Sequence, residues 1–231
     1  MRAVFGLIVA VTLSGCVDLA GFPNAPPVAV LQPVSVQYPV NFAAVVRRIE
    51  PVAEQMCRQQ APRANCDFRI VVDSRPGQPP NAYQTVNVLG RPVIGFTVAL
   101  IARAYNDDEL AFVMGHEAAH HISGHLEKKQ NTALAGAVLG GLLATLVGGS
   151  AADVDLAQNL GGSVGARSYS KEFELAADRL GTIISYRAGY DPLIGAQFFS
   201  RIPDPGDRFL GTHPPNAARI SIVKTTMEGL S

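Results

Sequence analysis

The pentapeptide His116-Glu117-Ala118-Ala119-His120 constrains this chain more than any other stretch. Side chains at i and i+4 of an α-helix stand one above the other on a single face. His116 and His120 can therefore offer two imidazoles to one metal ion only if the segment is helical, and Glu117 then sits beside them within reach of a reacting water. A surface helix merely rich in histidine is the bland alternative. The two differ in what they demand: a catalytic zinc site needs three protein ligands and an open position, so the metal reading requires a third ligand elsewhere.

The neighbouring histidines do not supply it. His121 is turned about 100° from His120, and His125 about 140°. Gly124 is placed to end the helix before His125. Both histidines read as surface residues or as supports behind the ligands. A site built on three histidines of the metzincin type requires Gly at 123 and His at 126, where this chain has Ser123 and Leu126, so that register is excluded. The helix itself is well signalled. Asn106, Asp107 or Asp108 serves as N-cap, acidic residues favour the first turn, and the helix runs from Glu109 to about Ser123.

The third ligand is found in Glu174-Leu175-Ala176-Ala177-Asp178, again an i, i+4 pair, on a helix expected from about Lys171 to Arg187. Glu174 can reach the metal. Asp178, on the same face, can accept a hydrogen bond from the non-ligating nitrogen of His116 and so fix its tautomer and ring angle.

His116–His120 with Glu174-x-x-x-Asp178 resembles the gluzincin-type, membrane-associated zinc metallopeptidases, a family that includes the HtpX heat-shock proteases, the CAAX prenyl proteases and small periplasmic lipoproteins. Asn81-Ala82-Tyr83 is similar to that family's Asn-Ala-aromatic segment, and Thr212-His213-Pro214-Pro215 followed by Arg219 to its Thr-His-Pro segment. The resemblance covers roughly residues 40–225; the lead-in Ser170-Lys171-Glu172-Phe173 departs from it where relatives often carry Arg. It implies an α+β fold, mainly helical and zincin-type, with a small antiparallel sheet next to the active-site helix. It also implies Zn²⁺ on His116, His120 and Glu174, with Glu117 as general base and then general acid. Protein or peptide substrates would contact Asn81. His213 would stabilise the oxyanion, or occupy the fourth metal position and hold the enzyme latent, or do neither. The implied activity is endopeptidase action on misfolded or unassembled envelope proteins, alongside the envelope assembly machinery.

The remaining features set the compartment. Met1-Arg2 and the apolar run Ala3–Leu13 have the dimensions of a signal peptide (1–15) and are too short to span a bilayer. Leu13-Ser14-Gly15-Cys16 resembles a lipobox, which implies a lipid anchor on Cys16. With Val17 following and no Asp there, the outer membrane facing the periplasm is favoured. Residues 16–40 carry five prolines and few charges and read as a tether, leaving 41–231 as the metalloprotease domain. In an oxidising compartment Cys57 and Cys66, nine residues apart, are either a disulfide or two buried thiols; their spacing does not suit zinc. Nineteen basic and nineteen acidic residues cancel, which excludes the basic excess of a nucleic-acid binder.

Within the domain, Asn41 is set to cap a helix to about Gln60, Phe68–Val72 reads as a strand, and Val86–Val98 as two strands about Gly90-Arg91-Pro92. Strand Val93–Thr97 is expected to offer an edge to extended substrate, by analogy with zinc proteases. Thr132–Ser150 is an uncharged insertion rich in Gly, Ala and Leu, with Gly136-x-x-x-Gly140 as a close-packing pattern. It is open to four readings: a hairpin dipping into lipid, a lid, a helical pair in an oligomer, or a mobile insertion. Residues 151–168 read as loop and short helix. Two other functions compete, a chaperone or assembly factor with a structural or latent metal site, and a membrane-embedded oligomer with vestigial residues. Glu117 argues against both, because a structural site has no use for that carboxylate.

Overall fold

The computed structural model describes residues 40–168, 170–204 and 214–230. The signal segment, Cys16, nearly all of the tether and His213 lie outside those residues.

Helix α1 (Phe42–Gln60) starts at its expected cap, the Asn41 side chain accepting from the Ala44 N–H. Its buried Val45, Ile49, Ala53 and Met56 recur at helical spacing. Cys57 lies on the same face and is joined to Cys66 in a disulfide with Cα atoms 5.6 Å apart, which ties the end of α1 to the entry of the sheet.

The sheet has three strands, β1 (Arg69–Asp73), β2 (Ala82–Val86) and β3 (Pro92–Thr97), in the order β1-β3-β2. β2 and β3 form an antiparallel pair across a turn in which Gly90 takes φ 74°. β1 runs parallel to β3, with Arg69 opposite Val93, so the sheet is mixed rather than wholly antiparallel as expected. Composition explains the order. β3 is the most apolar strand, with Ile94 and Phe96 fully buried, and it takes the centre. The expectation that Val93–Thr97 would be an edge is therefore corrected: β2, which carries Tyr83 and Gln84, is the edge on the active-helix side.

After the short α2 (Val98–Ile101), helix α3 (Asp107–Ile122) runs through the middle of the core. Asn106 caps it by accepting from the Glu109 N–H, with Asp107, Asp108 and Glu109 in the first turn. Leu110, Ala111, Phe112, Met114, Ala118 and Ala119 are buried around it. Gly124, at φ 63°, ends the run and redirects the chain into α4 (His125–Leu146).

α4 and α5 (Ala151–Ser168) form an antiparallel helical hairpin. Gly136 faces Gly161 and Gly140 faces Ala157 so closely that a Cβ on either glycine would fall on the opposing carbonyl. Residues 151–168 are thus a helix throughout, not the loop and short helix read from the sequence. Small residues at every fourth position let backbones touch, a tertiary gain invisible to a helix-propensity argument. Leu139, Leu143, Leu146, Leu156 and Leu160 of the hairpin are exposed. No described helix is long and apolar enough to cross a membrane.

The chain then returns to the core as α6 (Ser170–Arg187), α7 (Pro192–Gly195), a 3₁₀ segment (Ala196–Ser200) and α8 (Asn216–Glu228). α6 packs directly on α3 through a pair of glycines. A Cβ on Gly115 would lie 2.8 Å from the Gly181 carbonyl oxygen, and one on Gly181 would lie 2.7 Å from the His116 nitrogen. Ser185 Oγ donates to the Ala111 carbonyl at 3.1 Å one turn further along. This close approach brings the acidic face of α6 against the histidine face of α3.

Candidate metal centre

Three donor atoms converge where α3 meets α6. His116 Nε2 and His120 Nε2 are 3.0 Å apart. Glu174 Oε2 lies 3.5 Å from the first and Glu174 Oε1 3.4 Å from the second. Ligands held about 2.0–2.2 Å from a tetrahedral zinc stand roughly 3.3–3.6 Å from one another, so this triad is close to the spacing such an ion requires. Two imidazoles and a carboxylate also match the donor chemistry of catalytic zinc sites. Among the described residues, His116, His120 and Glu174 are the group able to hold a metal ion.

Each imidazole is oriented from behind. His116 Nδ1 lies 2.8 Å from Asp178 Oδ1 and donates to it, so the neutral ring carries its lone pair on Nε2, toward the triad. Asp178 is fully buried and is itself clamped by Arg219, whose Nε and Nη2 donate to its two oxygens at 2.7 Å each. Burial raises the Asp178 carboxyl's affinity for a proton, but Arg219 and His116 outweigh it and hold the group below the usual carboxylate range. For His116, burial pulls the imidazole down, while hydrogen bonds to Asp178 and Glu174 more than compensate and lift it to about 9 in the metal-free protein. His120 has a different support. Its Nδ1 lies 2.9 Å from Nδ1 of His125, so one proton sits between the two rings. His125 is 4% exposed and its ring stacks on Phe173 at 4.4 Å with planes 12° apart. Burial is the main reason its imidazole is depressed to about 3, with the adjacent His120 contributing.

The triad opens into a cavity of about 500 Å³. Glu117 lines it from α3, and Asn81, Ala82, Tyr83 and Gln84 line it from the β2 side. An extended chain laid along β2 would run past the triad. His121, the other uncertain histidine, points elsewhere: its Nε2 contacts the Asn65 carbonyl at 2.7 Å and its ring meets Phe68 edge-on.

The model of peptidase family M48 matches residues 39–227, most of the chain. The chain belongs to that family. Among curated relatives of this M48 chain, a putative β-barrel assembly-enhancing protease of Vibrio cholerae is 32% identical over 123 residues, covering 50% of the chain and 25% of the relative. The β-barrel assembly-enhancing protease of Escherichia coli K12 is 30% identical over 137 residues, 53% of the chain and 28% of the relative. The mitochondrial metalloendopeptidase OMA1 of Arabidopsis thaliana is 27% identical over 135 residues, 57% and 27% respectively. The chain thus matches only about a quarter of the length of these relatives.

Two supports were not assigned by sequence reasoning. The sequence signal for Arg219 is only an Arg shortly after Pro214-Pro215; its partner Asp178 lies on another helix and is seen only in the structure. His125, which the sequence allows as a surface residue or a support, is a support of His120. A helical wheel continued past Gly124 misplaces His125, because the positive φ there resets the direction and turns His125 back onto His120.

Proposed function

We propose that this chain is a zinc-dependent endopeptidase of the gluzincin type, acting in the bacterial cell envelope on misfolded or unassembled envelope proteins. The observation that carries the reading is the convergence of His116, His120 and Glu174 at close to tetrahedral spacing beside Glu117, in a cavity open to a peptide. Membership of a peptidase family and relatives named for β-barrel assembly support it. Cys16 is the lipid attachment site that would hold the domain at the outer membrane, periplasmic side, and the envelope assembly machinery is the proposed partner.

When bound on the triad, zinc supplies Lewis acidity and lowers the pKa of a water towards about 7. The residues do the rest. Substrate enters as an extended strand along β2, with Asn81 at its start holding main-chain groups. Glu117 accepts the proton of the attacking water and returns it to the leaving amine nitrogen, so one carboxyl is general base and then general acid. Asp178 keeps His116 in the tautomer with a lone pair on Nε2, and Arg219 keeps Asp178 ionised. His213, outside the described residues, is assigned by the family resemblance either to the oxyanion or to the fourth metal position.

Zinc content measured together with cleavage of casein, for wild type and Glu117→Gln, tests this. Bound zinc in both and cleavage only in wild type is expected, with a loss of about 10³-fold or more for a missing acid–base group. Equal cleavage by the variant would overturn the mechanism. Zinc in both with cleavage in neither would favour the chaperone or assembly reading.

A further inference from the structure

The two imidazoles of the triad are supported unequally. His116 rests on a carboxylate, Asp178, at 2.8 Å; His120 rests on another imidazole, His125, Nδ1 to Nδ1 at 2.9 Å. Only one proton fits between two nitrogens at that distance. If it belonged to His125, the neutral His120 would carry its own proton on Nε2, pointing into the triad and blocking it. If it belongs to His120, Nε2 has its lone pair toward His116 Nε2 and Glu174 Oε1, at 3.0 and 3.4 Å. The arrangement works for a metal only when His125 is the acceptor, neutral, with its own proton on Nε2.

We infer that His125 is a positioning residue for the metal site: its Nδ1 lone pair accepts the His120 Nδ1–H and so selects the tautomer in which His120 can ligate. The fold is built to hold it so. Gly124, at φ 63°, breaks α3 from α4 and turns the first residue of α4 back over the end of α3. Phe173, one residue before Glu174, stacks on the His125 ring and fixes its plane. The same short segment of α6 thus provides the third donor of the triad and the platform for His125. A neutral acceptor in place of a carboxylate spares the site a further buried negative charge next to Glu174.

The inference rests on the metal reading proposed above, and the test separates the two. The Oδ1 atom of asparagine takes nearly the position of histidine Nδ1, so His125→Asn keeps an acceptor and discards the ring. His125→Phe keeps a ring against Phe173 and discards the acceptor. Zinc affinity of the full chain is measured by competition with a chromogenic chelator. His125→Asn is expected to bind within a few-fold of wild type, and His125→Phe about 10–100-fold more weakly, the usual cost of losing such a support. A purely packing role gives the opposite order and overturns the inference, as does wild-type affinity in both variants. Long-range ¹H–¹⁵N correlation spectra of the zinc-loaded wild type supply a readout that packing does not move. They should place the His120 proton on Nδ1 and the His125 proton on Nε2; a proton on His125 Nδ1 overturns the assignment. Failure of the wild type to bind zinc overturns the metal reading and this inference with it.

Discussion

At the scale of single residues, His116 is where proton, metal and fold compete. Its imidazole lies buried between Asp178 and Glu174, and both carboxyl groups favour the cation over the neutral ring. Burial alone would lower its pKa; the two acceptors raise it to about 9, above the 6.5 of an unfolded histidine. The sign follows by linkage. A group whose folded pKa is raised contributes stability that is fully present below about 6.5 and is lost as pH climbs through about 9. Metal-free wild type should therefore lose stability across that window, while His116→Asn, which has nothing to titrate, should lose less. Urea unfolding at pH 6 and pH 9.5 checks this, and parallel losses in the two proteins would show that His116 does not carry the effect. Zinc must displace the same proton, so its affinity should rise over the same range.

At the scale of elements, the glycine contact between α3 and α6 decides whether the two halves of the triad meet. A methyl group on Gly181 would lie 2.7 and 2.9 Å from backbone atoms of His116, which cannot rotate away as a side chain can. Gly181→Ala should push α6 off α3, at a cost of about 1–3 kcal/mol, and carry Glu174 and Asp178 away from the histidines. Gly162→Ala in the α4–α5 hairpin is the control. Its Cβ would meet only ordinary contacts at 3.4 and 3.5 Å, and helix propensity favours Ala by up to about 1 kcal/mol. Thermal melts and chelator competition should show Gly181→Ala less stable and weaker for zinc, and Gly162→Ala unchanged or more stable. Equal zinc affinity in Gly181→Ala would mean that the helix spacing is not what sets the site. The same contact explains what was readable in advance. Caps at Asn41 and Asn106, and the i, i+4 pairs 116/120 and 174/178, are local properties of one helix and could be read from spacing. The central place of β3, the helical state of 151–168 and the turn of His125 onto His120 depend on which remote backbone arrives, and spacing carries no record of that.

At the scale of the whole molecule, the triad and its supports draw on four elements: α3 with 116–120, α6 with 174–178, α8 with Arg219, and the first residue of α4, His125. A metal held by the first two, with the third locked on through Asp178, ties them into one cooperative unit. Binding that is confined to the folded state stabilises it by mass action, about 4 kcal/mol at a thousandfold excess over the dissociation constant. The hairpin lies between α3 and α6 in the chain but contributes no atom to the triad, and its two helices pack chiefly on each other while their leucines face out. The gain should therefore be unevenly spread. Amide hydrogen exchange with and without zinc should show new protection in α3, α6 and α8, and little change across Ala133–Leu146 and Ala151–Gly165. Matching protection in the hairpin would mean that it folds and opens with the site, and that the apolar insertion is coupled to the chemistry it stands beside.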